Sequence, residues 1–407
     1  MTVDWGQAFA GRVAGMSASE IRELLKLLQR PEIISFAGGI PDPGFFPAAA
    51  VSRAYQKVFE SNDGAGSALQ YTISEGHTPL REWICGYMGR KGLNIGIDEV
   101  VVTSGSQQAL EFIGKLMIGP GDLVAVTAPT YLGALQAFSP YEPTYVSVAM
   151  DDDGPVIEDL AAALEKKPKL FYLVPDFQNP NGVTVSLERR HQILDLCTAA
   201  GVPVVEDAAY AELRYDGEHL PALAGIDAAR NGGTPTQVIY CGSFSKTVVP
   251  ALRVGWISAP KAVIERVVLM KQAADLHTST INQIVLHDVV SQVFDSHIQF
   301  LRRNYKERRD AMLQALETEF AGRDDVRWTK PQGGMFVWLE LPEGLDGATL
   351  LRQAIEQANV AFVPGAAFFA DRSGRNTIRM SFSATAPERI REGVARLAKL
   401  LKQTIQS

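Results

Sequence analysis

Apolar positions along this chain change their period several times, and each change predicts an element. Ser17-Ala18-Ser19-Glu20 reads as a capping box. Behind it Ile21, Leu24, Leu25 and Leu28 give a helix one apolar face, and Pro31 follows its end. Residues 33–47 are rich in Gly and Pro, with Gly38-Gly39 and Pro41-Asp42-Pro43-Gly44, and predict loop rather than strand or helix. From about residue 98 short β-branched runs alternate with helical spacing. Strands are predicted at 100–103, 123–127, 145–148, 170–174, 202–205, 238–241 and 254–258. Helices fall between them at 106–118, 131–138, 156–166 and 186–200, the last with Ser186 as N-cap and Gly201 just past its end. Such alternation implies an α/β domain with a mostly parallel sheet. After Lys261 the pattern is helical to about Glu319. Beyond it, strands at 334–339 and 377–383 among helices suggest a smaller α+β domain. The first helix does not fit the α/β repeat, so it is assigned to that second unit. The expected division is a large domain of 46–290 and a small one of 1–45 together with 291–407.

Composition narrows the classes without naming an activity. A chain of 407 residues, 46% hydrophobic and 21% charged, can bury a core without disulfides or metals. Lys+Arg number 39 against Asp+Glu 46, a net charge of −7, with no basic run; this is not the footprint of a nucleic-acid binder. No apolar stretch approaches the roughly 18 residues that cross a bilayer. Residues 1–12 lack a secretory pattern, and the cysteines Cys85, Cys197 and Cys241 are odd in number and far apart. Both point to the cytoplasm as the default. The six histidines show no metal-ligand spacing, so no metal is expected. Neither G-x-G-x-x-G after the first strand nor a P-loop is present.

In open α/β sheets ligands bind beyond the carboxyl ends of the strands, so the residues just past each strand carry the most information. After 100–103 comes Ser104-Gly105-Ser106-Gln107, whose backbone N–H groups at a helix start suit either a phosphate or an ordinary cap. After 170–174 come Asn179-Pro180-Asn181-Gly182, and after 202–205 come Asp207 and Tyr210; each alone reads as turn, cap or core. After 238–241 comes Gly242-Ser243-Phe244-Ser245-Lys246, with Arg253 seven residues beyond the lysine. Two hydroxyls, a lysine and an arginine at one strand end supply the donors and charge that a phosphate needs. A desolvated lysine there would also be a nucleophile.

Taken in order, these motifs with Tyr131 resemble the fold-type I pyridoxal-phosphate aminotransferases of class I and II, over nearly the whole chain. The segments 35–41 (Ser-Phe-Ala-Gly-Gly-Ile-Pro), Gln70-Tyr71-Thr72-x-x-Glu75-Gly76 and Gln178-Asn179-Pro180 are similar to the branch of α-aminoadipate (kynurenine) aminotransferases. The resemblance implies a large domain with a seven-stranded-type, mostly parallel sheet, a small α+β domain, and pyridoxal 5′-phosphate as cofactor. By it Lys246 forms the Schiff base and moves the substrate proton, Asp207 keeps the pyridine nitrogen protonated, and Tyr210 and Asn179 donate to the 3′-oxygen. Tyr131 stacks on the ring, while Ser106, Gln107, Ser243, Ser245 and Arg253 hold the phosphate. Tyr71 reaches the phosphate of the neighbouring subunit, which implies a homodimer with shared active sites. Arg379 clamps the substrate α-carboxylate, and Gly39 leaves room for the substrate. Arg22 either meets an acidic substrate side chain or is a solvated helix residue. Phe36, Tyr71 and Phe362 are expected to give room for apolar side chains.

The expected reaction moves an amino group from an amino acid (2-aminoadipate, glutamate, aromatic, or branched and aliphatic) to a 2-oxo acid such as 2-oxoglutarate. The alternative is a lyase or decarboxylase on the same fold, because the residues that hold the cofactor are shared. A regulator carrying a winged helix is disfavoured, since fewer than about 20 residues precede the first capped helix. Neither a nucleic-acid nor a membrane partner is expected.

Overall fold

The computed structural model describes residues 2–16, 30, 32–60 and 64–406. The capped helix predicted after Ser17, with Arg22 on it, lies outside the described residues.

The first strand, β1 (Ile34–Ser35), lies in the stretch expected to be loop. It pairs in parallel with a strand from the far end of the chain, Ile34 opposite Val360 and Ser35 opposite Ala361. A Gly- and Pro-rich segment therefore becomes strand because a distant partner supplies its hydrogen bonds, which no local pattern reveals.

The central sheet is built from β2 (Val100–Thr103), β3 (Leu123–Ala128), β4 (Thr144–Asp151), β5 (Gly154–Pro155), β6 (Phe171–Leu173), β7 (Val204–Asp207), β8 (Val238–Ser243) and β9 (Gly255–Ser258). Their order in space is β2-β9-β8-β7-β6-β3-β4-β5. Seven are the expected strands; the eighth, β5, is a two-residue antiparallel return on the edge strand β4. Strands β2, β6, β7, β8 and β9 are buried at every residue. Covered on both faces by helices, such strands read as unbroken apolar runs.

Two features of this order place the site. Strand β9 runs antiparallel to both β2 and β8, with Gly255 opposite Thr103 and Ser243. The start of β9, not its end, therefore shares an edge with the carboxyl ends of the others, and Arg253 arrives there. Strands β3 and β6 are neighbours, but the chain leaves them toward opposite sides of the sheet. A ligand crevice opens at such a switch point.

A second sheet has the order β10-β11-β14-β13, with β10 (Arg327–Trp328), β11 (Phe336–Glu340), β13 (Val363–Pro364) and β14 (Thr377–Ser381), all antiparallel. Strand β12 (Val360–Ala361) is the partner of β1. The helical region after Lys261 divides into Lys261–Ala274 and the 40-residue Thr280–Glu319. The latter is about 60 Å long. It packs on Ala48–Glu60 and Thr78–Gly89 beside the large sheet, and on the final helix Pro387–Gln406 beside the small one. Ile390, Val394, Leu397 and Leu401 form the buried stripe of that last helix. No helix of the described residues is long and apolar enough to cross a membrane.

Candidate active site

Residues from several separate segments gather around the carboxyl edge of the large sheet. Asp207 closes β7 and is buried. Its Oδ2 accepts from the Tyr172 hydroxyl at 2.9 Å, and its Oδ1 has no partner. Burial lifts its pKa to about 6, against the Tyr172 hydroxyl, the Ala209 N–H and the charge of Lys246. A buried acceptor left open is costly unless a donor arrives to fill it.

The preceding carboxylate makes a useful contrast. Successive side chains on a strand point to opposite faces. Glu206 accepts from the backbone N–H groups of Leu223 and Ala224 at 3.1 and 2.8 Å, at the start of helix Leu223–Arg230. Burial raises its pKa to about 7, yet both oxygens are occupied. On that side lies a cavity of about 590 Å³ lined by Lys91, Glu212, His219 and Arg302 among others. Glu212 there is matched by Lys91 at 2.7 Å and by Arg302 at 3.0 Å. The open carboxylate oxygen thus belongs to Asp207, away from that cavity.

Lys246 follows β8 and is half-buried. Its ammonium donates to the Gly39 carbonyl at 3.0 Å. Burial, then the nearby charges of Arg379 and Arg253, bring its pKa down to about 8, with Asp207 opposing. At pH 7 about a tenth of the amine is then neutral, against a negligible share for a free lysine.

Arg379 sits in the middle of β14 and is almost wholly buried. Its Nη1 donates to Asn179 Oδ1 at 2.7 Å and its Nη2 to the Ala37 carbonyl at 2.8 Å; Nε has no partner. Its Cζ lies over the rings of Phe336 and Phe368, 4.4 and 4.9 Å from their centroids. Burial lowers its pKa to about 10, which leaves the cation intact at neutral pH. Asn179 Nδ2 also approaches the Tyr210 hydroxyl at 3.5 Å. The β1–β12 pairing is what brings Ala37 and Gly39 here, since Phe36 continues it through its N–H to Ala361. A Cβ on Gly39 would stand 2.8 Å from the Phe336 ring, so only glycine fits.

The donor-rich end is the junction of β2, β8 and β9. Gly105, at φ +83°, precedes helix Ser106–Met117, and a Cβ there would fall 2.4 Å from Arg253 Nη2. Arg253 itself has φ 53°, uncommon for a residue with a side chain. Its Nη1 donates to Ser245 Oγ at 3.4 Å and its Nη2 to the Ser104 carbonyl at 3.3 Å. Ser243 Oγ accepts from the Ser245 N–H at 3.2 Å, and Gln107 Nε2 donates to the Gly133 carbonyl at 2.8 Å. Tyr131 caps the start of helix Leu132–Phe138; burial raises its pKa to about 12, and the charges of Asp207, Arg379 and Arg253 all act on it.

The structure therefore brings together Gly39, Ser106, Gln107, Tyr131, Asn179, Asp207, Tyr210, Ser243, Ser245, Lys246, Arg253 and Arg379. Tyr71 stands apart: it is 77% exposed, with its ring against His277. Phe36 and Phe362 do not give room beside the substrate. Both are fully buried in the core, and the Phe36 ring lies against Gly393. Three residues escape sequence reasoning: Tyr172, Phe336 and Phe368. A hydroxyl inside the apolar run 170–174 was the one available signal, for Tyr172. The donor set fits pyridoxal phosphate. Asp207 Oδ1 awaits a donor such as a pyridine N–H, and a glycine-lined cup of N–H, hydroxyl and guanidinium groups suits a phosphate.

Residues 32–397 match the family model described as aminotransferase class I and II. The chain is 44% identical to aromatic-amino-acid aminotransferase 1 of Thermococcus litoralis, over all of this chain and 96% of that protein. It is 42% identical to the 2-aminoadipate transaminase of Thermus thermophilus, over 98% of each. A solved α-aminoadipate aminotransferase of Thermus thermophilus, complexed with N-(5′-phosphopyridoxyl)-L-leucine, superposes with a TM-score of 0.91 at 40% identity. That match covers 99% of this chain and 100% of the other. These findings support transamination rather than the lyase alternative: the chain belongs to the class I and II aminotransferases, fold-type I enzymes that use pyridoxal phosphate.

Proposed function

We propose that this aminotransferase takes acidic amino acids, 2-aminoadipate and glutamate, together with aromatic or aliphatic ones, and uses 2-oxoglutarate as acceptor. One observation carries the reading: the pKa-lowered amine of Lys246 lies within electrostatic reach of Asp207, with an open buried carboxylate oxygen, and of Arg379, with an open buried guanidinium N–H. The relatives named above divide between 2-aminoadipate and aromatic amino acids, which supports a broad donor range.

Pyridoxal phosphate supplies an electron sink for negative charge at the substrate Cα. Lys246 would hold it covalently and, once displaced by substrate, would take the Cα proton on Nζ. Its lowered pKa supports that role, because it leaves a share of the amine neutral near pH 7, and a neutral amine can accept a proton. Asp207 Oδ1 would hold the proton at the ring nitrogen, with Tyr172 fixing the other oxygen. Tyr210 and Asn179 would donate to the 3′-oxygen, and Tyr131 would cover the ring face. Ser106, Gln107, Ser243, Ser245 and Arg253 would take the phosphate. Arg379 would clamp the substrate α-carboxylate through Nε and what remains of its Nη donors. Gly39 would leave that approach clear.

By resemblance, Tyr71 would serve the phosphate of a second subunit in a homodimer, in keeping with its exposure here. Arg22 would meet the acidic side chain. The enzyme would act in the cytoplasm. The division into 46–290 and 1–45 with 291–407 is supported by the β1–β12 pairing, which ties Ile34–Ser35 to Val360–Ala361 near the far end of the chain.

A panel of amino donors with 2-oxoglutarate tests the specificity. Glutamate and 2-aminoadipate should turn over, and Arg22→Ala should lower kcat/KM for both about tenfold while sparing an aromatic donor. An unchanged kcat/KM for the acidic donors would remove Arg22 from this role.

A further inference from the structure

Behind the donor-rich loop lies a buried ionic cluster to which none of the roles above is assigned. Lys271, on helix Lys261–Ala274, is wholly buried. Its ammonium reaches Asp275 Oδ1 and Oδ2, each at 3.0 Å, Thr278 Oγ1 at 3.0 Å and Gln108 Oε1 at 3.1 Å. An ammonium has three N–H groups, and here three side chains take them. Asp275 Oδ2 also accepts from Gln108 Nε2 at 2.8 Å and from Ser104 Oγ at 3.1 Å. Gln108 Oε1 accepts the backbone N–H of Ser104 at 2.7 Å. Ser104 is thus held at its N–H and its hydroxyl by the cluster, while its carbonyl accepts from Arg253.

Burying an ion pair gains little net stability compared with apolar packing, so its retention asks for a geometric reason. Here the reason lies one residue away. Ser104 leads directly into Gly105 and the helix start at Ser106, where the N-cap residue Gly105 offers no side-chain cap to the first N–H groups. We propose that Lys271 and Asp275, acting through Gln108 and Ser104, are positioning residues that fix the Ser104–Gln107 loop and Arg253 for the cofactor phosphate. The proposal rests on the reading that Ser106, Gln107, Ser243, Ser245 and Arg253 take that phosphate. With the pair gone, the Ser104 peptide is free to turn. The N–H groups of Ser106 and Gln107 then lose their aim, and Arg253 loses the carbonyl that orients its Nη2. Among the described residues, Lys271 and Asp275 hydrogen-bond to none of those assigned to the ring or the substrate, so the damage should be confined to the phosphate end.

The test compares the full-length enzyme loaded with pyridoxal phosphate and with pyridoxal, which lacks the phosphate. Release on dilution is followed by absorbance, and the bound phosphate by its ³¹P shift. Three variants are read: Lys271→Met, the doubly apolar Lys271→Met with Asp275→Leu, and Gln108→Met, which keeps the ion pair and the Asp275 bond to the Ser104 hydroxyl but removes the acceptor of the Ser104 N–H. In each, affinity for pyridoxal phosphate should fall about tenfold and that for pyridoxal should stay within about twofold. The ³¹P shift should move as well. Equal weakening for both ligands, as from general loosening, would overturn the proposal. So would unchanged phosphate selectivity in Gln108→Met and the double variant. Arg253→Ala separates the two levels. If it lowers the preference for the phosphorylated form and the three variants do not, the positioning role alone fails. If it leaves that preference unchanged, the phosphate reading fails, and this inference with it.

Discussion

Two lysines lie inside this enzyme near the same sheet edge, and their surroundings differ in burial, in hydrogen bonding and in neighbouring charge. Lys271 is fully buried and all its N–H groups are taken, by Asp275, Thr278 and Gln108. Lys246 is half-buried and donates to one carbonyl, that of Gly39, with cations rather than a carboxylate as its strongest charged neighbours. Burial lowers the pKa of both. The partners decide what each can do. A lysine whose donors are all engaged is a fixed part of the structure. A lysine with spare N–H groups beside Arg253 and Arg379 is pushed toward the neutral amine, the form that attacks a carbonyl or takes a proton. The sequence neighbourhood alone does not make this distinction, because each lysine has an acidic or hydroxylic residue close by in the chain.

The comparison breaks most sharply at Lys246 itself. Lys246→Ala should reduce transamination between glutamate and 2-oxoglutarate by more than about a thousandfold, since it removes the group proposed to move the proton. It should also abolish the covalent attachment of cofactor, read as loss of the visible band. Lys271→Met should retain turnover once saturated with cofactor. If the two variants lost kcat alike, the division between chemical and structural lysine would be wrong.

Stability should divide them in the opposite sense. Removing Lys271 leaves the Asp275 carboxylate without its cation, held only by the Gln108 and Ser104 donors. The cost should be about 2–3 kcal/mol, at the low end for a broken buried pair because the Asp275 side chain is 28% exposed. Urea unfolding of the cofactor-free chain checks it. A loss below about 0.5 kcal/mol would show the pair to be no better than a surface one.

Most of the candidate site was legible in the sequence because parallel, doubly covered strands announce themselves as apolar runs, and the polar residues just past 100–103, 202–205 and 238–241 gather where those strands end. The predicted ends of β2 and β3 agree with the observed ones within a residue, and those of β7 and β8 fall two residues early because Glu206-Asp207 and Gly242-Ser243 are not hydrophobic. What the sequence hid depended on partners far along the chain. Strand β1 exists only because β12 lies beside it. Arg253 reaches the edge only because β9 runs backward, and strand direction leaves no mark on an apolar run. Tyr172 looked like core because it is core, apart from the one oxygen that meets Asp207. The Lys271–Asp275 spacing of four is common on exposed helices, and its burial is fixed by the loop at Ser104.

The smallest effect sharpens the comparison most finely, through pH. In the cofactor-free chain the Lys246 pKa falls from 10.5 to about 8, so between those values the unfolded chain binds more protons than the folded one. Stability then rises with pH across this window, and the penalty for keeping the ammonium buried and beside Arg379 and Arg253 is complete only below about pH 8. Lys246→Met removes that penalty. It should therefore be more stable than the unaltered chain at pH 7, with the advantage shrinking as pH rises through 8 toward 10. Lys271→Met should lie below the unaltered chain at pH 7, because the stranded carboxylate, not the lost ammonium, dominates its balance. Urea midpoints at pH 7, 8 and 9.5 are sufficient to see both. A Lys246→Met advantage that stayed constant with pH would mean that the amine is not desolvated, and the contrast between the two lysines would then rest on hydrogen bonding alone.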